Sequence, residues 1–334
     1  MNKDIELIGL GNGLVDLMFE VSDNELQDLN LKKGEMLLVD TSQQEPILKL
    51  FSERAQYKCS GGSAANTIIA FSQLGGKSAY KTVLGNDELG KFYANEFREL
   101  GINLSADFVS EYPTGTCVVL ITPDTERTMH TALGATALFN ESNIAEEIIA
   151  RSEWIYIEGY KFSEESSTKA IFKALEFAKK HNTKIAVTFS DIFITNLFKD
   201  NLSKVVESAD LVFCNAQEAM SYTNTDTVED AFIELGRICP NVIVTEGKNG
   251  SNIKWNYEIH KIPSYKANPL DTTGAGDMFA GAFFYGLLRT NSAKIAGHLA
   301  SLASSLIVSQ FGARLSGDMN LVKRRIEEEF GITF

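Results

Sequence analysis

Short apolar runs rich in β-branched and aromatic residues alternate along the chain with longer stretches whose apolar positions recur at helical spacing. The runs at Ile5–Gly9, Ser78–Val83, Trp154–Ile157, Lys184–Thr188, Leu211–Cys214 and Val242–Thr245 predict strands. Several are apolar at consecutive positions, which is the pattern of a parallel sheet covered on both faces. Helical spacing predicts helices near Ala64–Leu74, Glu88–Leu100, Ser166–His181, Ala216–Tyr222, Thr227–Leu235, Gly274–Leu288 and Ser292–Val308. Strand–helix–strand repetition over this length implies a doubly wound, mostly parallel α/β sandwich.

Two stretches break that rhythm. One runs from about residue 14 to 58 and includes MLLVD; the other runs from about 107 to 133 and includes TCVVLITP and ERTMHTAL. The second predicts a hairpin around Pro123-Asp124. Short strands inserted at two places can pair with each other as a small β-sheet projecting from the core. Both insertions flank glycine-rich turns, which favours a lid over a site against mere edge decoration. No internal repeat or linker interrupts the chain, and residues 1–334 read as one domain.

Composition narrows the class. A chain of 334 residues, 44% hydrophobic and 22% charged, folds around a core without metal or disulfide staples. Its net charge of −13 disfavours both nucleic acid and anionic membranes as partners. No apolar run reaches the roughly 18 residues of a membrane span. The opening MNKDIELIGLGNG reads as a buried strand rather than a secretion signal, so a cytoplasmic protein is expected. Cys59, Cys117, Cys214 and Cys239 are scattered, as are the four histidines, and neither a disulfide framework nor a zinc site is expected.

Three short motifs match incompletely. GLGNGL at Gly9–Leu14 has Leu14 where a dinucleotide fingerprint needs its third glycine, and no helical pattern follows. GGKS at Gly75–Ser78 lacks the first glycine of a Walker A loop, with Phe71 in its place, and it ends a helix rather than a strand. Gly61-Gly62-Ser63-Ala64-Ala65 approximates a hydrolase nucleophile elbow, but Ala65 replaces its last glycine. The histidines that might complete a triad, His260 and His298, fall in a strand and on a helix face.

The segment from Asp271 to Gly286, DTTGAGDMFAGAFFYG, carries the chemistry. Gly274, Ala275 and Gly276 open a helix after an extended stretch. A helix start offers unpaired N–H groups and a positive dipole end, and small residues let an anion approach the backbone. Asp277 follows in the first turn. Amides there can stabilise charge on a transferring phosphoryl group while the carboxylate accepts the proton of an attacking hydroxyl. As a mere dipole partner, Asp277 would contribute about 0.3–1 kcal/mol. Two glycines and an alanine at the helix start argue for the first role, since helix propensity would not select them.

This segment resembles the C-terminal signature of the ribokinase-like (PfkB) carbohydrate and nucleoside kinases. A second signature of that family is matched by Gly61-Gly62-Ser63-Ala64-Ala65-Asn66-Thr67, running into a helix that ends Leu74-Gly75-Gly76. The two stand in the expected order, and the resemblance covers essentially the whole chain. It implies a ribokinase-like fold with a small β-sheet lid, ATP as phosphoryl donor, and Asp277 as base beside an anion hole of Gly274, Ala275 and Gly276. Asn215-Ala-Gln-Glu218 resembles the family's N-x-x-E motif, in which Asn215 and Glu218 help hold Mg²⁺, largely through water. Read alone, Asn215 is a helix cap. Thr245, Gly247 and Gly250 match the T-x-G-x-x-G turn at the nucleotide, and read alone are a glycine turn between strands. The stretch Ser292–Phe311 resembles the helix and loop that pack against adenine. Asp271, with the loop near Gly312, corresponds to a K⁺ position in some relatives.

On the acceptor side, the resemblance places Asp16 against sugar hydroxyls, a contact suited to a carboxylate that accepts two hydrogen bonds at once. Gly62, Ser63 and Asn66 complete that recognition. Arg127, in the second insertion, has two readings: a group that approaches the phosphates or the acceptor on closure, and a solvated hairpin charge. GGSAANT, GLGNGLVD, ERTMHTALGA and YIEGY look closer to bacterial adenosine kinase-like members than to ribokinase, which usually has a lysine where Ser63 stands. Phe19, Met36, Leu38, Leu133 and Phe162 are candidate walls for a purine. The expected reaction is phosphorylation of a nucleoside's primary hydroxyl, adenosine to AMP, as in purine salvage. A sugar kinase of the ribose, fructose or 2-keto-3-deoxygluconate type is the alternative, and a non-catalytic nucleotide- or sugar-binding protein is the other class. The lid can be a free cover or a contact between copies, so monomer and homodimer both fit.

Overall fold

The computed structural model describes residues 2–54, 57–124 and 126–334. Residues 55 and 56 of the first insertion and Thr125 of the predicted hairpin lie outside them. The larger of two sheets has nine strands, in the spatial order Glu258–Ile262, Ser251–Trp255, Val242–Thr245, Leu211–Asn215, Lys184–Thr188, Ser152–Glu158, Ile5–Leu10, Ser78–Gly85 and Asn103–Val109. The last seven run parallel, and the first two form a hairpin whose Ser251–Trp255 strand pairs antiparallel with both neighbours. Consecutive residues of a strand serve opposite faces. Leu7, Tyr80, Trp154, Tyr156 and Phe213 join one core, against Phe283 and Phe284 of the helix Ala275–Thr290. Ile8, Leu10, Val83, Ile155 and Ile157 join the other, against Ala170, Ile171 and Ala174 of the helix Glu165–Lys180. This two-sided burial is why the sequence shows apolar runs rather than alternation.

The order of strands reverses beside Ile5–Leu10. The chain moves outward from it through Ser78–Gly85 on one side, then returns to build outward from Ser152–Glu158 on the other. A crevice outside the carboxyl ends of the strands at such a switch point is the usual ligand position in doubly wound folds.

The second sheet has five strands, in the order Met36–Leu38, Arg127–Ala132, Gly115–Ile121, Leu14–Glu20 and Tyr57–Gly61. The Pro123-Asp124 turn does join an antiparallel pair, with Ile121 opposite Arg127. One boundary differs from expectation. Asn103–Val109 pairs with Ser78–Gly85 in the large sheet, so the second interruption begins beyond Val109 rather than at 107. The helix Met319–Phe330 also went unpredicted: its buried face is narrow, with Met319, Val322 and Ile326 alone fully covered.

One face of the small sheet packs Val15, Leu17, Phe19 and Val118 with Leu26, Ile47 and Phe51 from the helices Asp23–Asp28 and Thr41–Leu50. Gln44 pins helix to sheet by donating to the carbonyls of Thr116 and His130, at 3.0 and 2.6 Å. His130 lies opposite Val118 on this covered face, with both ring nitrogens buried and unpartnered. Desolvation holds its pKa below the ordinary 6.5, against the pull of Glu35. As pH falls through 6.5 the unfolded chain takes up this proton first, so His130 lowers stability on the acid side. His130→Leu is therefore expected to melt no lower than wild type at pH 7 and to lose less of its melting temperature between pH 7 and pH 5. A steeper acid loss in the variant would refute this account.

Candidate active site

The extended segment after Pro263 turns at Thr272–Thr273 and enters the helix Ala275–Thr290 through Gly274. Gly274 has φ +72°, and a Cβ on it would lie 2.6 Å from that of Ala313, so glycine is required twice over. The first turn leaves the Gly276 and Asp277 amides without intrahelical acceptors. At Gly276 a Cβ would meet only open space, so the backbone is bare to the cavity.

A second helix start faces the first. Gly62, at φ +107°, caps Ser63–Gln73, and a Cβ on it would sit 2.2 Å from the Asn12 carbonyl oxygen. Ser63 Oγ donates to Asp277 Oδ1 at 2.7 Å, and Asn66 Nδ2 donates to Oδ2 at 3.1 Å. Withdrawal from bulk water at the bottom of the cleft pushes the Asp277 pKa up to about 6, with both hydrogen bonds opposing the rise. Such a group is charged near neutral pH yet basic enough to accept a proton. Ser63 and Asn66 thus hold Asp277 itself, while still lining the cavity.

Asp16 reaches the same cavity from the strand Leu14–Glu20, flanked across the small sheet by Cys59 and Cys117. Its carboxyl rests against Gly61, where a Cβ would come within 2.5 Å of Oδ1. Desolvation pushes Asp16 up to about 6; Arg127 and Arg314 oppose this, while Asp277 and Glu96 add to it. Asn215 and Glu218 form a reciprocal cap at the start of Ala216–Thr223 and also line the cavity. Glu218 Oε1 accepts from Asn215 Nδ2 at 2.7 Å, and Oε2 accepts from the Asn215 amide at 3.0 Å. Burial pushes Glu218 up to about 7, and the charges of Asp191 and Asp277 add to the rise.

This cavity measures about 400 Å³ and brings together Asp16, Gly62, Ser63, Asn66, Asn215, Glu218, Thr245 and Gly274–Asp277. A neighbouring one of about 610 Å³ holds Gly247 and Gly250, with Tyr265 from the extended segment and Ser304, Ser305 and Val308 from the Ser292–Phe311 side. The two share Thr245, Thr272, Ala275, Gly276 and Phe279, so the Gly274–Asp277 helix start stands at their junction. Four carboxylates (Asp16, Asp191, Glu218, Asp277) line the smaller cavity, whose described walls include no Lys or Arg. Among the described residues no three of these carboxylates converge closely enough to hold a metal between them, so the excess of negative charge suits only a cation that keeps most of its ligands as water.

Two expected site residues stand apart. Arg127 is not a solvated charge: it is buried, with Nη1 3.3 Å from Asp271 Oδ2 and Nη2 on the Met18 sulfur. Asp271 also accepts from the amides of Thr273 and Gly312, at 2.9 and 2.8 Å. Both oxygens of this carboxylate thus have protein donors, and the Arg127 guanidinium lies beside it. Neither residue lines the cavity.

Of the five candidate walls, Met36 alone lines the cavity. Phe19 and Phe162 are core, Leu38 shares the face of Met36 but lies at the exposed end of its strand, and Leu133 lies outside the lining. The apolar lining is instead Leu14, Met36, Cys117 and Met129 on the small sheet, with Phe213 on the large one and Tyr160 on the turn that follows its strand Ser152–Glu158. Asp191 also went unanticipated, although it follows the carboxyl end of Lys184–Thr188, as the Asn215 and Thr245 positions do on their strands. Beneath the cavity Glu158 accepts from the amides of Asn12 and Ala64, at 2.7 and 2.8 Å, tying the Gly11–Gly13 turn to the Ser63 helix start. Lys161 Nζ donates to Asn12 Oδ1 at 2.9 Å. Burial raises the Glu158 pKa and lowers that of Lys161, each opposed by the other's charge.

Known proteins resemble this chain in sequence and overall fold. The adenosine kinase of Saccharomyces cerevisiae is 26% identical over 329 residues, covering 92% of this chain and 95% of its own. The crystal structure of a probable sugar kinase protein from Rhizobium etli CFN 42 superposes with a TM-score of 0.89 at 29% identity, covering 97% of this chain and 99% of that one. The adenosine kinase from Sinorhizobium meliloti gives 0.88 at 28%, over 96% and 99% of the two chains. Residues 37–319, a span running from the small sheet through the Gly274–Asp277 helix start, match the pfkB family carbohydrate kinase pattern, and the chain belongs to that family.

Proposed function

We propose that this kinase is a cytoplasmic adenosine kinase, which transfers the γ-phosphoryl group of ATP to the 5′-hydroxyl of adenosine and releases AMP and ADP. The observation that carries the acceptor class is the two-sided character of the smaller cavity. Asp16, Gly62 and Asn66 offer polar groups suited to ribose hydroxyls, while Leu14, Met36, Cys117, Met129 and Tyr160 form an apolar wall. A free sugar would leave that wall facing hydroxyl groups. A purine would cover it.

In this reading the acceptor hydroxyl lies against Asp277 and the nucleotide fills the larger cavity. As the hydroxyl oxygen attacks the γ-phosphorus, its proton passes to the Asp277 carboxylate. The bond to the bridging oxygen breaks, and ADP leaves with that electron pair. The Gly276 and Asp277 amides face the charge that develops on the transferring group. Glu218 and Asn215, with Asp191 beside them, would hold Mg²⁺, which supplies neutralisation of phosphate charge when bound. Ser63 and Asn66 fix the direction of the base. Seating of the small sheet over the acceptor would keep water from competing for the phosphoryl group.

The deciding experiment is ADP release with Mg²⁺ against adenosine, inosine, guanosine, cytidine, ribose, fructose and 2-keto-3-deoxygluconate. Adenosine-dependent turnover yielding AMP is expected. Turnover confined to a free sugar would keep the phosphoryl-transfer chemistry and overturn the acceptor. Silence across the panel would favour a non-catalytic nucleotide- or sugar-binding protein.

A further inference from the structure

The loop that follows the helix Ala293–Ile307 touches both halves of the site. Its Val308 carbonyl accepts from the amides of Leu270 and Asp271, at 2.7 and 3.2 Å. Its Gly312 amide donates to Asp271 Oδ2, and Ala313 packs against Gly274. Val308 itself lines the larger cavity. From this nucleotide-side loop Arg314 reaches across to the small sheet. Nη1 meets Glu96 Oε1 at 2.7 Å, and Nη2 donates to both the carbonyl and the hydroxyl oxygen of Ser60.

Ser60 is wholly buried, and its remaining donors are committed as well: its amide and hydroxyl both donate to Glu96 Oε2, at 2.6 and 2.8 Å. The three residues form a closed cluster whose position bears on the acceptor carboxylate. Ser60 stands between Cys59, the cross-strand partner of Asp16, and Gly61, against which the Asp16 carboxyl rests. A shift of Ser60 moves both.

We propose that Arg314 is a positioning residue for the acceptor: by holding Ser60 from the nucleotide-side loop, it fixes the strand against which Asp16 presents its carboxylate. Its guanidinium also opposes the desolvation of Asp16. A half-buried ion pair with a purely stabilising role is the competing account, and such pairs contribute little because solvent screening and side-chain ordering offset their attraction. The proposal rests on the reading of Asp16 as the acceptor's ligand.

The test is steady-state kinetics of wild type, Arg314→Met and Arg314→Lys, with adenosine and ATP varied separately across pH 5 to 8. In Arg314→Met the KM for adenosine rises about tenfold, the scale of one lost charge-assisted hydrogen bond. The kcat and the KM for ATP stay within about threefold. The groups that bear on Asp16 are Arg127, Arg314, Asp277 and Glu96, with the thiols of Cys59 and Cys117 on the flanking strands. Loss of the Arg314 charge raises the Asp16 pKa, so the acid limb of kcat/KM for adenosine moves to higher pH. The limb of kcat, set by Asp277 in the bound complex, stays in place. Arg314→Lys keeps the charge but not the forked donor, so its adenosine KM rises with the limb unmoved. This variant decides the matter if the methionine protein does not fold. Wild-type adenosine KM in either folded variant, while wild type turns over adenosine, overturns the role of Arg314 alone. A wild-type protein inert toward every acceptor overturns the functional reading, and this inference with it.

Discussion

Asp277→Asn is expected to lower kcat by about 10²–10⁴-fold, the range for loss of a general base. The KM for adenosine should move little, because Asn can accept from Asn66 and donate to Ser63, keeping the side chain where the carboxyl now sits. Wild-type kcat should fall as pH drops through about 6, since the carboxylate must be charged to accept the proton. The same raised pKa has a consequence for stability. A carboxyl lifted from 3.8 to about 6 by folding stabilises the protein only when protonated, so its contribution is complete below pH 3.8 and gone above about 6. Asp277→Asn should therefore melt no lower than wild type at pH 7 while losing turnover, a separation that thermal melts and single-turnover assays on one preparation resolve. Near wild-type kcat would remove Asp277 from the chemistry.

The second large effect is expected at Gly274. Alanine there must hold φ +72° and place a Cβ 2.6 Å from that of Ala313. The left-handed conformation alone costs an L-residue about 1–2 kcal/mol. Relief requires movement of the backbone that aims the Gly276 and Asp277 amides. Loss of a preorganised donor at a developing anion lowers kcat by about 10²–10³-fold, and Gly274→Ala should fall in that range. Gly276→Ala is the contrast, because its Cβ enters open cavity without disturbing the helix start. It should act chiefly through a higher KM for ATP. Unchanged kcat in Gly274→Ala would show that these amides do not stabilise the transferring group.

The parts of this site that the sequence reveals are those with a local reason. Buried parallel strands must be apolar on both faces, so they stand out as runs. Gly62 and Gly274, which must tolerate positive φ, stand in motifs at helix starts. Arg127 and Arg314 are different. Each sits in a segment that reads as polar loop or hairpin, and Arg127 is buried and Arg314 largely covered only because its partner, Asp271 or Glu96, arrives from a distant part of the chain. No window around either residue contains that information. The candidate walls of the cavity fall between these cases. Once Asp16 is set facing the cavity, strand alternation puts Leu14 on its side and Phe19 on the other, so parity rather than bulk selects the wall.

The small sheet keeps its structural and ligand-facing duties on opposite faces. Val15, Leu17, Phe19 and Val118 hold it to its covering helices, while Met36, Cys117 and Met129 look into the cavity. Met36 and Met129 are only half-buried, and Cys117, although buried, belongs to neither main core cluster; Asp277 with its amides stands on another sheet's helix. Acceptor preference can therefore drift in a lineage through single replacements that neither unfold the protein nor disturb the transfer step, and a library confined to these three positions would sample new acceptors on an intact catalyst.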